Sequence, residues 1–536
     1  MVEFTEDEKQ VLSRFVTNVD GNVFALRNLP EVIKGALFSR YSRTSKGLRQ
    51  LLLDEFVKSD EVGVKEILDS VKGAGESEIL AIEKAQAFYD RILDGYGDDS
   101  VGELGGAHIA IENLSNIATK VIEDMRIGGS PLEKSTRYVW FDKKINGEYQ
   151  FYRDPVIMNS EFADEYVNVC NMLLDLYSKL IEPMKQYYIE RVPRDENTPE
   201  QAYKFSIRAK ACDTLRPLLP GSVLTNMGIF GNGRFFETMI LKLRSHPLQE
   251  MREIADQVQM ELNKIIPSFV RRCQTGHKHF APAYNFLNKS TEGARKKTSE
   301  ILTEEPIHAE EVELVEYDKN ADEKILAALL YPHSKQPMRQ ILEKVRKMDT
   351  EERKKIIHEV LSHRENRRHK PPRAFENAYF TFDLLGDYGI YRDMERHRIL
   401  TQERQDLKTD HGYITPPEII DAGFENEWKE VMNKAAEVYK QISEKYPKEA
   451  QYIVPFAYKI RWYFTMNPRA IYWVTELRSS PQGHPNYRRM AQKMYKLAKQ
   501  ASPLLFEYAR FVDMNDYSLG RLDAEKKLAE KKVKEE

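Results

Sequence analysis

The feature that most constrains the fold of this chain is an internal repeat on the two sides of a polar segment. Each half carries a Leu-Leu-Pro-like turn, then an Asn-x-Arg motif, an apolar stretch, a further Arg and a helical stretch that ends near a Pro. These features lie at Leu218–Pro220, Asn232–Arg234 and Arg244 in the first half, and at Ile453–Pro455, Asn467–Arg469 and Arg478 in the second. Because chance agreement in the same order is improbable, the sequence predicts a tandem duplication of one domain.

The length of 536 residues leaves room for two large copies. We place the first copy at residues 1–295, the second at 310–520, and a charged tail at 521–536, to which the sequence assigns no role. The stretch from Cys273 to Glu311 shows little apolar periodicity. It is therefore predicted to be a connection between the copies.

Composition and charge exclude several classes of protein. The chain has 81 Lys and Arg against 84 Asp and Glu, a balance that argues against nucleic-acid binding by bulk positive charge. Its three cysteines, Cys170, Cys212 and Cys273, lie far apart, which argues against disulfide scaffolds and cysteine-rich zinc sites and favours the reducing cytoplasm. An acidic beginning and the lack of a long apolar run predict that the chain has no signal peptide and no membrane span.

Helical periodicity dominates the sequence. Thr5 and Glu8 form a capping-box pattern that predicts the start of a helix. Apolar residues at helical spacing predict buried helical faces at Ala110–Met125 and Met251–Ile265. Strand-like runs are shorter and lie at Arg137–Phe141, Glu148–Tyr152 and Val312–Tyr317. The sequence therefore predicts a helix-rich α+β protein.

Glu133, Ser135 and Arg137 recur at a spacing of two, just before one of these strand-like runs. In an extended segment alternate side chains point the same way, so the three would face one surface. Together they offer acceptors and donors, and an Arg can bind a phosphate bidentately. The alternative is a solvated strand end with a Glu–Arg pair. Arg216, at a rigid turn before Pro217, adds a further guanidinium.

The second half concentrates positive charge at Arg396-His397-Arg398, where two guanidiniums flank an imidazole. Such a group suits a pyrophosphate or the negative charge of a reduced flavin. The alternative is an ordinary basic helix surface. The basic run Arg364–Arg373 adds to the local charge and would also suit RNA.

Asn467, Arg469 and Arg478 accompany an aromatic-rich stretch that could stack on a planar ring. The alternative is a polar helix face. The sequence has no Ser–His–Asp arrangement, no glycine-rich phosphate loop and no H-E-x-x-H pair, and its His and Cys spacings match no metal site. The residues therefore favour a pair of planar, phosphorylated ligands bound without a metal.

Taken together, these motifs resemble those of the flavin-dependent thymidylate synthases. The signature of that family reads R-H-R, seven residues, then Ser, with a Glu two residues before this Ser and an Arg two residues after it. The family also has an S-V-x-E segment, an A-R-x-V-L-P turn, and an N-x-R motif followed nine residues later by Arg. The first half matches at Asp99–Glu103, Glu133–Val139, Arg216–Pro220 and Asn232–Arg234, and the second at Phe380–Phe382, Arg396–Arg398, Asn467–Arg469 and Arg478.

The two halves depart from this signature in complementary places. The first half has Asp124-Met125-Arg126 where the family has R-H-R. The second half replaces the Glu, Ser and Arg of the signature and the Arg of the turn with Arg404, Asp406, Lys408 and Gln451. Because the family builds each active site between two copies, the resemblance implies one competent composite site and one dead site.

The resemblance implies a helix-rich α+β fold of two tandem copies, each a small antiparallel sheet with long helices. It also implies that FAD, reduced by NADPH, and methylenetetrahydrofolate convert dUMP to dTMP. The implied substrate-binding residues are Glu133, Ser135, Arg137, Arg216, Arg396 and Arg478, and the implied FAD-binding residues are Arg396, His397, Arg398, Asn467 and Arg469. Ser135, Arg137 and Arg478 are implied in catalysis, with Ser135 as a nucleotide ligand rather than a nucleophile.

Three points stay open at the level of the sequence. The substrate could be another pyrimidine nucleotide or the reaction another folate-dependent modification, or the chain could be a catalytically dead nucleotide- or RNA-binding homologue. The family resembled works as a tetramer, so a duplicated chain is predicted to form a homodimer. The composite site could lie within one chain or across two; the high effective concentration of fused halves favours one chain.

Overall fold

The computed structural model describes residues 4–42, 44–58, 101–125, 127–522 and 524–527. Part of the motif Asp99–Glu103, Arg126 and most of the charged tail lie outside the described residues. By its internal contacts the chain divides into two compact units. The first consists of Met1–Leu114, Val121–Glu133 and Asn226–Glu304, and the second of Ser115–Lys120, Lys134–Thr225 and Glu305–Glu536.

These units do not follow the boundaries of the two predicted copies. The second unit contains residues 115–120 and 134–225 of the first copy together with all of the second copy. The copies at 1–295 and 310–520 and the tail at 521–536 therefore stay predictions from the repeat in the sequence.

Helices are the predominant elements of both units. In chain order they are α1 (Glu6–Phe15), α2 (Glu31–Tyr41), α3 (Leu48–Leu51), α4 (Asn116–Glu123), α5 (Pro155–Met158), α6 (Ala163–Arg191), α7 (Glu200–Leu215), α8 (Gly233–Arg244), α9 (Gln249–Leu262), α10 (Pro267–Val270), α11 (Phe280–Ile301), α12 (Ala321–Leu330), α13 (Met338–Arg346), α14 (Thr350–Leu361), α15 (Tyr388–Met394), α16 (Pro417–Asp421), α17 (Glu425–Lys445), α18 (Pro468–Arg478), α19 (Pro485–Ala501) and α20 (Pro503–Phe506). None of the helices in the described ranges is long and apolar enough to cross a bilayer.

The strands are short and few. They are β1 (Gly106–Ser115), β2 (Gly129–Glu133), β3 (Lys144–Ile145), β4 (Glu148–Tyr149), β5 (Leu224–Asn232), β6 (Val312–Tyr317), β7 (Phe380–Asp387), β8 (Thr401–Arg404) and β9 (Lys459–Met466). The prediction of a helix-rich α+β fold with small sheets is confirmed.

The first unit combines a three-stranded sheet, in the order β1-β5-β2, with packed helices. β2 and β5 pair antiparallel, with Gly129 opposite Gly231. α8 packs on α9, and α9 confirms the helix predicted around Met251. The predicted capping box also forms: the Thr5 hydroxyl accepts from the Glu8 backbone at 3.3 Å, and the Glu8 carboxylate accepts from the Thr5 backbone at 3.0 Å.

The second unit is built on a four-stranded antiparallel sheet in the order β6-β7-β9-β8. Phe380 at the start of β7 lies opposite Met466 at the end of β9. The residues of β9 alternate in burial, and the buried set is Ile460, Trp462, Phe464 and Met466. α19 packs on β6 and β7, and α6 packs on α17.

The Asn-x-Arg motifs occupy the same structural position in both halves. In each case the strand that precedes the motif, β5 or β9, leads directly into a helix, α8 or α18. Asn232 Oδ1 accepts from the Phe235 backbone N–H, and Asn467 Oδ1 accepts from that of Ala470, both at 2.8 Å. Each Asn is therefore an N-cap, and the sequence repeat corresponds to a repeated strand–cap–helix arrangement.

The helical face predicted at Ala110–Met125 is wrong in its first half. β1 continues to Ser115, α4 covers only Asn116–Glu123, and Ala110 is exposed. A spacing of four between apolar residues fits the period of a strand as well as that of a helix, so it did not discriminate between them. Asn113, with φ of 58°, also interrupts the regular alternation of β1.

The strand predicted at Arg137–Phe141 is also wrong. β2 ends at Glu133, and the Val139 N–H donates to the Ser135 carbonyl at 3.2 Å, which closes a turn. Glu133, Ser135 and Arg137 therefore do not share one face of a strand. The physical reason is that the Arg137 side chain is drawn into a buried ion pair, described below. A pattern of apolar residues typical of a strand does not reveal such a pair.

The other expectations are met in part. Glu148–Tyr152 forms a strand only at Glu148–Tyr149, with a single bridge from Phe151 to Val223, whereas Val312–Tyr317 is confirmed as β6. The predicted connection contains α11, a helix of 22 residues in which no residue is buried. This helix contacts α8 of the first unit, where the Arg244 guanidinium lies 5.7 Å from the ring centroid of Phe280.

Candidate functional site

The second unit contains a cavity of about 350 Å³ beside the start of α18. Its polar lining includes all five residues predicted to hold FAD, together with the predicted substrate residue Arg478: Arg396, His397, Arg398, Asn467, Arg469 and Arg478. Its apolar lining consists of Ile399, Leu400, Ala470, Trp473, Val474 and Leu477. The volume lies within the range of about 300–1,000 Å³ that is usual for ligand sites.

One helix face and one connecting segment form the walls of this cavity. Ala470, Trp473, Val474, Leu477 and Arg478 recur at spacings of three and four along α18, so they share one face of that helix. The segment 396–400, between α15 and β8, supplies the two motif arginines, which are exposed, and the buried His397. The R-H-R motif and the Asn-x-Arg motif therefore meet at one cavity.

Positive charge dominates the lining. The charged residues are Lys370, Arg396, Arg398, Arg469 and Arg478 against the single carboxylate of Glu376. Arg469 is fixed by hydrogen bonds from Nε to the Pro371 carbonyl at 2.7 Å and from Nη1 to Glu376 at 3.1 Å. The Lys370 ammonium lies 4.8 Å from the ring centroid of Trp473. Such a lining favours an anionic ligand that carries an aromatic ring.

His397 is the neutral member of this lining. Its Nε2 accepts a hydrogen bond of 2.9 Å from Arg478 Nε, so the proton of the imidazole lies on Nδ1. Burial, reinforced by the charge of Arg478, lowers the pKa of His397 well below its ordinary value. His397 therefore orients Arg478 without adding positive charge.

Arg137 forms a buried, two-pronged ion pair with Asp213. Nε and Nη2 of Arg137 donate to the two carboxylate oxygens of Asp213 at 2.6 and 2.7 Å, and Nη1 donates to the Tyr487 hydroxyl at 3.0 Å. Burial alone would raise the pKa of Asp213, but the charge of Arg137 outweighs it and holds that pKa well below the ordinary value. Asp213 is therefore an anion that occupies much of the hydrogen-bonding capacity of Arg137.

Arg216 is held by a second buried carboxylate. Its Nη1 donates to Asp393 Oδ2 at 3.0 Å, and only 1% of the residue is exposed. Burial would raise the pKa of Asp393, but Arg216 and then Arg137, Arg396 and Arg478 lower it well below the ordinary value. Within the described part of the chain, Nε and Nη2 of Arg216 have no hydrogen-bond partner. Arg216 therefore has donors directed at no group of the described protein.

Tyr487 joins the residues of the two repeats. The guanidinium carbons of Arg137, from the first repeat, and Arg478, from the second, each lie 5.6 Å from the centroid of its ring. Together with the Arg216–Asp393 pair, this contact brings predicted site residues of both repeats together within one unit of one chain.

The remaining predicted residues lie outside this cluster of paired arginines. Ser135 is half-buried, and its hydroxyl accepts from the Arg137 backbone N–H at 3.2 Å, an arrangement that stabilises the turn. Glu133 is buried at the end of β2 in the first unit. In the second repeat, Asp406 is paired with Lys448, and Gln451 accepts from the Leu407 backbone at 2.9 Å. No three His, Cys, Asp or Glu side chains of the described residues come together as a metal site.

Comparison with known proteins assigns the chain to a family. The family model described as thymidylate synthase complementing protein matches it twice, at residues 56–268 and 313–504. The chain belongs to the thymidylate synthase complementing protein family. Because the same family model matches both halves, the predicted tandem arrangement is confirmed.

Several known proteins align with this member of the thymidylate synthase complementing protein family. A UPF0159 protein of Chlamydia pneumoniae is 48% identical over 98% of both chains, and a UPF0159 protein of Thermoplasma acidophilum is 35% identical over 92% of this chain and 97% of its own. A flavin-dependent thymidylate synthase of Clostridium tetani is 26% identical over 37% of this chain and 86% of its own. The crystal structure of the UMP/dUMP methylase PolB from Streptomyces cacaoi, bound with 5-Br dUMP, covers 37% of this chain and 93% of its own at 18% identity, with a TM-score of 0.31.

Sequence reasoning missed several residues in this member of the thymidylate synthase complementing protein family. Asp213 and Asp393 hold the site arginines, and Tyr487 bridges two of them. A signal for the two acids was present, because each precedes a site arginine by three residues, as Asp213 before Arg216 and Asp393 before Arg396. Tyr487 lies in α19, the helix that follows the one carrying Arg478, and no spacing in the sequence marks it as a site residue.

Proposed function

We propose that this chain is a flavin-dependent thymidylate synthase, which methylates dUMP to dTMP with FAD as cofactor and with methylenetetrahydrofolate and NADPH as co-substrates. The observation that carries the proposal is the cavity beside α18, which gathers Arg396, His397, Arg398, Asn467 and Arg469 at one place. In the same unit, Arg137 of the first repeat and Arg478 of the second both lie against Tyr487, and Arg216 of the first repeat pairs with Asp393 of the second. The proposed assembly is a homodimer of duplicated chains in the cytoplasm.

The residues present fit a flavin. The cations of the cavity suit a pyrophosphate, and Trp473 with the apolar face of α18 suits a planar ring system. Arg396, Arg398 and Arg469 would hold the charged parts, while His397 and Asn467 would supply neutral contacts. When bound and reduced, the flavin supplies the hydride that completes the methyl group.

The arginine cluster fits the nucleotide. Arg216 is the proposed principal phosphate ligand, because its Nε and Nη2 are buried and have no partner in the described chain. Arg137 would add positive charge for the phosphate, and Arg478, which contacts the same Tyr487 ring, would place positive charge near the uracil. Such pre-organised cations stabilise negative charge that develops on a carbonyl in the transition state. Ser135 is a proposed ligand of the nucleotide, and Glu133 and Arg396 complete the proposed substrate set.

The flavin prediction is one FAD per chain. Arg398→Ala removes a charge-assisted contact of the proposed pyrophosphate site and should weaken FAD binding about tenfold or more. Arg234→Ala is the control: it changes an exposed arginine of the corresponding motif in the first repeat, which pairs with Glu103 at 2.7 Å, and should leave FAD binding unchanged. The visible absorption spectrum of the purified protein and the flavin-to-chain ratio test this. Two flavins per chain, or a colourless protein that does not bind added FAD, would contradict it.

The activity is tested by incubating the purified protein with dUMP, methylenetetrahydrofolate, FAD and NADPH, and measuring dTMP. Parallel reactions with UMP and dCMP separate the proposed substrate from another pyrimidine nucleotide. A methylated product from UMP or dCMP alone would replace dUMP in the proposal. A flavin-bearing protein with no product from any of them would favour a binding protein.

The site is further proposed to lie within one chain. A chain with Ser135→Ala and Arg137→Ala, mixed under subunit exchange with a chain that carries Arg396→Ala and Arg398→Ala, should then regain no dTMP synthesis. A site shared across two chains would be rebuilt intact in part of the mixed dimers. Recovery of activity in the mixture would therefore overturn the intrachain site, and exchange of a wild-type chain with an inactive one serves as the control for mixing.

A further inference from the structure

The C-terminal segment of the second unit, residues 513–522, is held by hydrogen bonds beside the Arg137–Asp213 pair. Arg488 of α19 donates to the Asn515 carbonyl at 2.7 Å, and Gln492 donates to the Asp513 carbonyl at 2.8 Å. Gly520 lies so close to the loop at Pro481 that an added Cβ would be 1.9 Å from the Pro481 carbonyl oxygen. The next residue, Arg521, is therefore placed by a close backbone approach that requires glycine.

Arg521 is a buried cation next to this ion pair. Its residue exposure is 8%, its Nη2 lies 3.9 Å from Asp213 Oδ2, and its guanidinium stacks 4.5 Å from the ring centroid of Tyr138. Nη1 has no hydrogen-bond partner in the described part of the chain. Arg521 therefore shares the Asp213 carboxylate with Arg137, and the Nη2 atoms of both arginines lie nearest to the same oxygen, Oδ2.

Arg521 changes the net charge of the group that it forms with Arg137 and Asp213. Arg137 and Asp213 alone form a neutral pair, which attracts a phosphate only weakly because the carboxylate cancels the guanidinium. Arg521 beside the same carboxylate gives the group of three a net charge of plus one. The small cavity between Asp213 and the C-terminal segment is only about 30 Å³, room for a water molecule or two. A nucleotide does not enter there, so Arg521 acts through Asp213.

We propose that Arg521 is a positioning residue of the nucleotide site, which neutralises Asp213 and so leaves Arg137 with the positive charge needed to bind the phosphate of a nucleoside monophosphate. This inference rests on the proposed function. It gives the C-terminal segment a role in substrate binding.

The test compares two substitutions of similar size. Arg521→Gln removes the charge and should raise the Kd and KM for dUMP about tenfold, with a smaller change in kcat. Arg521→Lys keeps the charge and should restore most of that affinity. Binding of deoxyuridine, which has no phosphate, should respond much less to Arg521→Gln. Lys526→Gln, which changes a neighbouring cation paired with Asp195 at 3.3 Å, should leave the Kd for dUMP unchanged.

The same substitution in a chain without the Asp213 charge tests whether Arg521 acts through its charge or through its packing. If Arg521 acts by neutralising Asp213, Arg521→Gln should have little further effect on dUMP affinity in a chain that already carries Asp213→Asn. Chains that end after Leu522 should bind dUMP as the full chain does, whereas chains that end after Gly520 should bind like Arg521→Gln. Thermal unfolding and FAD content report whether each variant is folded.

The outcomes distinguish the inference from the function on which it rests. A full chain that binds no dUMP would overturn both. A full chain that binds dUMP, with Arg521→Gln and Arg521→Lys equal to it or equally impaired, would overturn the role of Arg521 alone. Equal losses of dUMP and deoxyuridine affinity would likewise overturn it, since the proposal confines the effect to the phosphate.

Discussion

Replacing Arg216 by Ala is expected to lower dUMP affinity by a hundredfold or more, on the order of 3 kcal/mol for a charged ligand that loses its buried donors. The same change should destabilise the protein, because it leaves the Asp393 carboxylate buried without the partner that is 3.0 Å away. Breaking such a buried pair from one side costs about 3–5 kcal/mol in the free energy of unfolding. Titration with dUMP and denaturant unfolding measure the two effects.

A double variant separates binding from stability. Arg216→Ala with Asp393→Ala removes both charges and should recover much of the lost stability, but it should not recover dUMP binding. The matched control is Gln451→Ala, at the corresponding turn of the second repeat, which should change dUMP affinity little. A double variant that binds dUMP as well as the unaltered protein would show that Arg216 is not the phosphate ligand.

The second large effect is a loss of stability in mild acid. Burial and the neighbouring arginines lower the pKa values of His397 and His484 well below the ordinary value, which is about 6.5. Below that pH the unfolded chain binds protons at these positions and the folded chain does not. The stability is therefore full above about pH 6.5 and falls as the pH drops, by about 1.4 kcal/mol per pH unit for each histidine, until the folded pKa is reached.

Substitutions that keep the hydrogen bonds test this assignment. His397→Gln can still accept from Arg478, and His484→Asn can still cap α19, where the His484 Nδ1 accepts from the Asn486 backbone at 3.2 Å. Each should flatten the decrease of unfolding free energy between pH 6.5 and 5, whereas His333→Gln at an exposed position should not. An unchanged slope in both variants would mean that the two histidines titrate normally in the folded protein. The buried carboxylates Asp213 and Asp393, whose pKa values are lowered, lose their contribution only at lower pH.

Much of the fold was predictable where a local pattern decides the structure. The capping box of Thr5, the buried face of α9 and the strand β6 all formed as expected. The strand predicted after Ser135 was wrong because strand-like composition does not reveal that the Arg137 side chain pairs with a carboxylate 76 residues away in the sequence. The helix predicted around Ala110 was wrong because the spacing of its apolar residues fits the period of a strand as well as that of a helix.

In the candidate site, too, the features fixed by local sequence were predictable and the contacts between distant residues were not. The R-H-R and Asn-x-Arg motifs were predicted to serve one ligand, and the structure brings all five of these residues to one cavity. Their spacing could carry that prediction because each motif is fixed locally, one by a cap and a helix, the other by a short segment before a strand. The partners of the arginines were not predictable in this way. The spacing of Asp213 to Arg216 and of Asp393 to Arg396 would suggest local pairs within a helix turn.

By itself the sequence determined the duplication, the predominance of helices and the family, and it predicted a set of site arginines. Only the tertiary structure decided which carboxylate each arginine meets: Asp213 pairs with Arg137, and Asp393 pairs with Arg216, from which it is 177 residues away in the sequence. Spacing encodes neighbours within one helix or strand. The pairing of buried charges depends instead on how distant elements pack, because only a packed interior removes water and makes each buried charge require a specific partner.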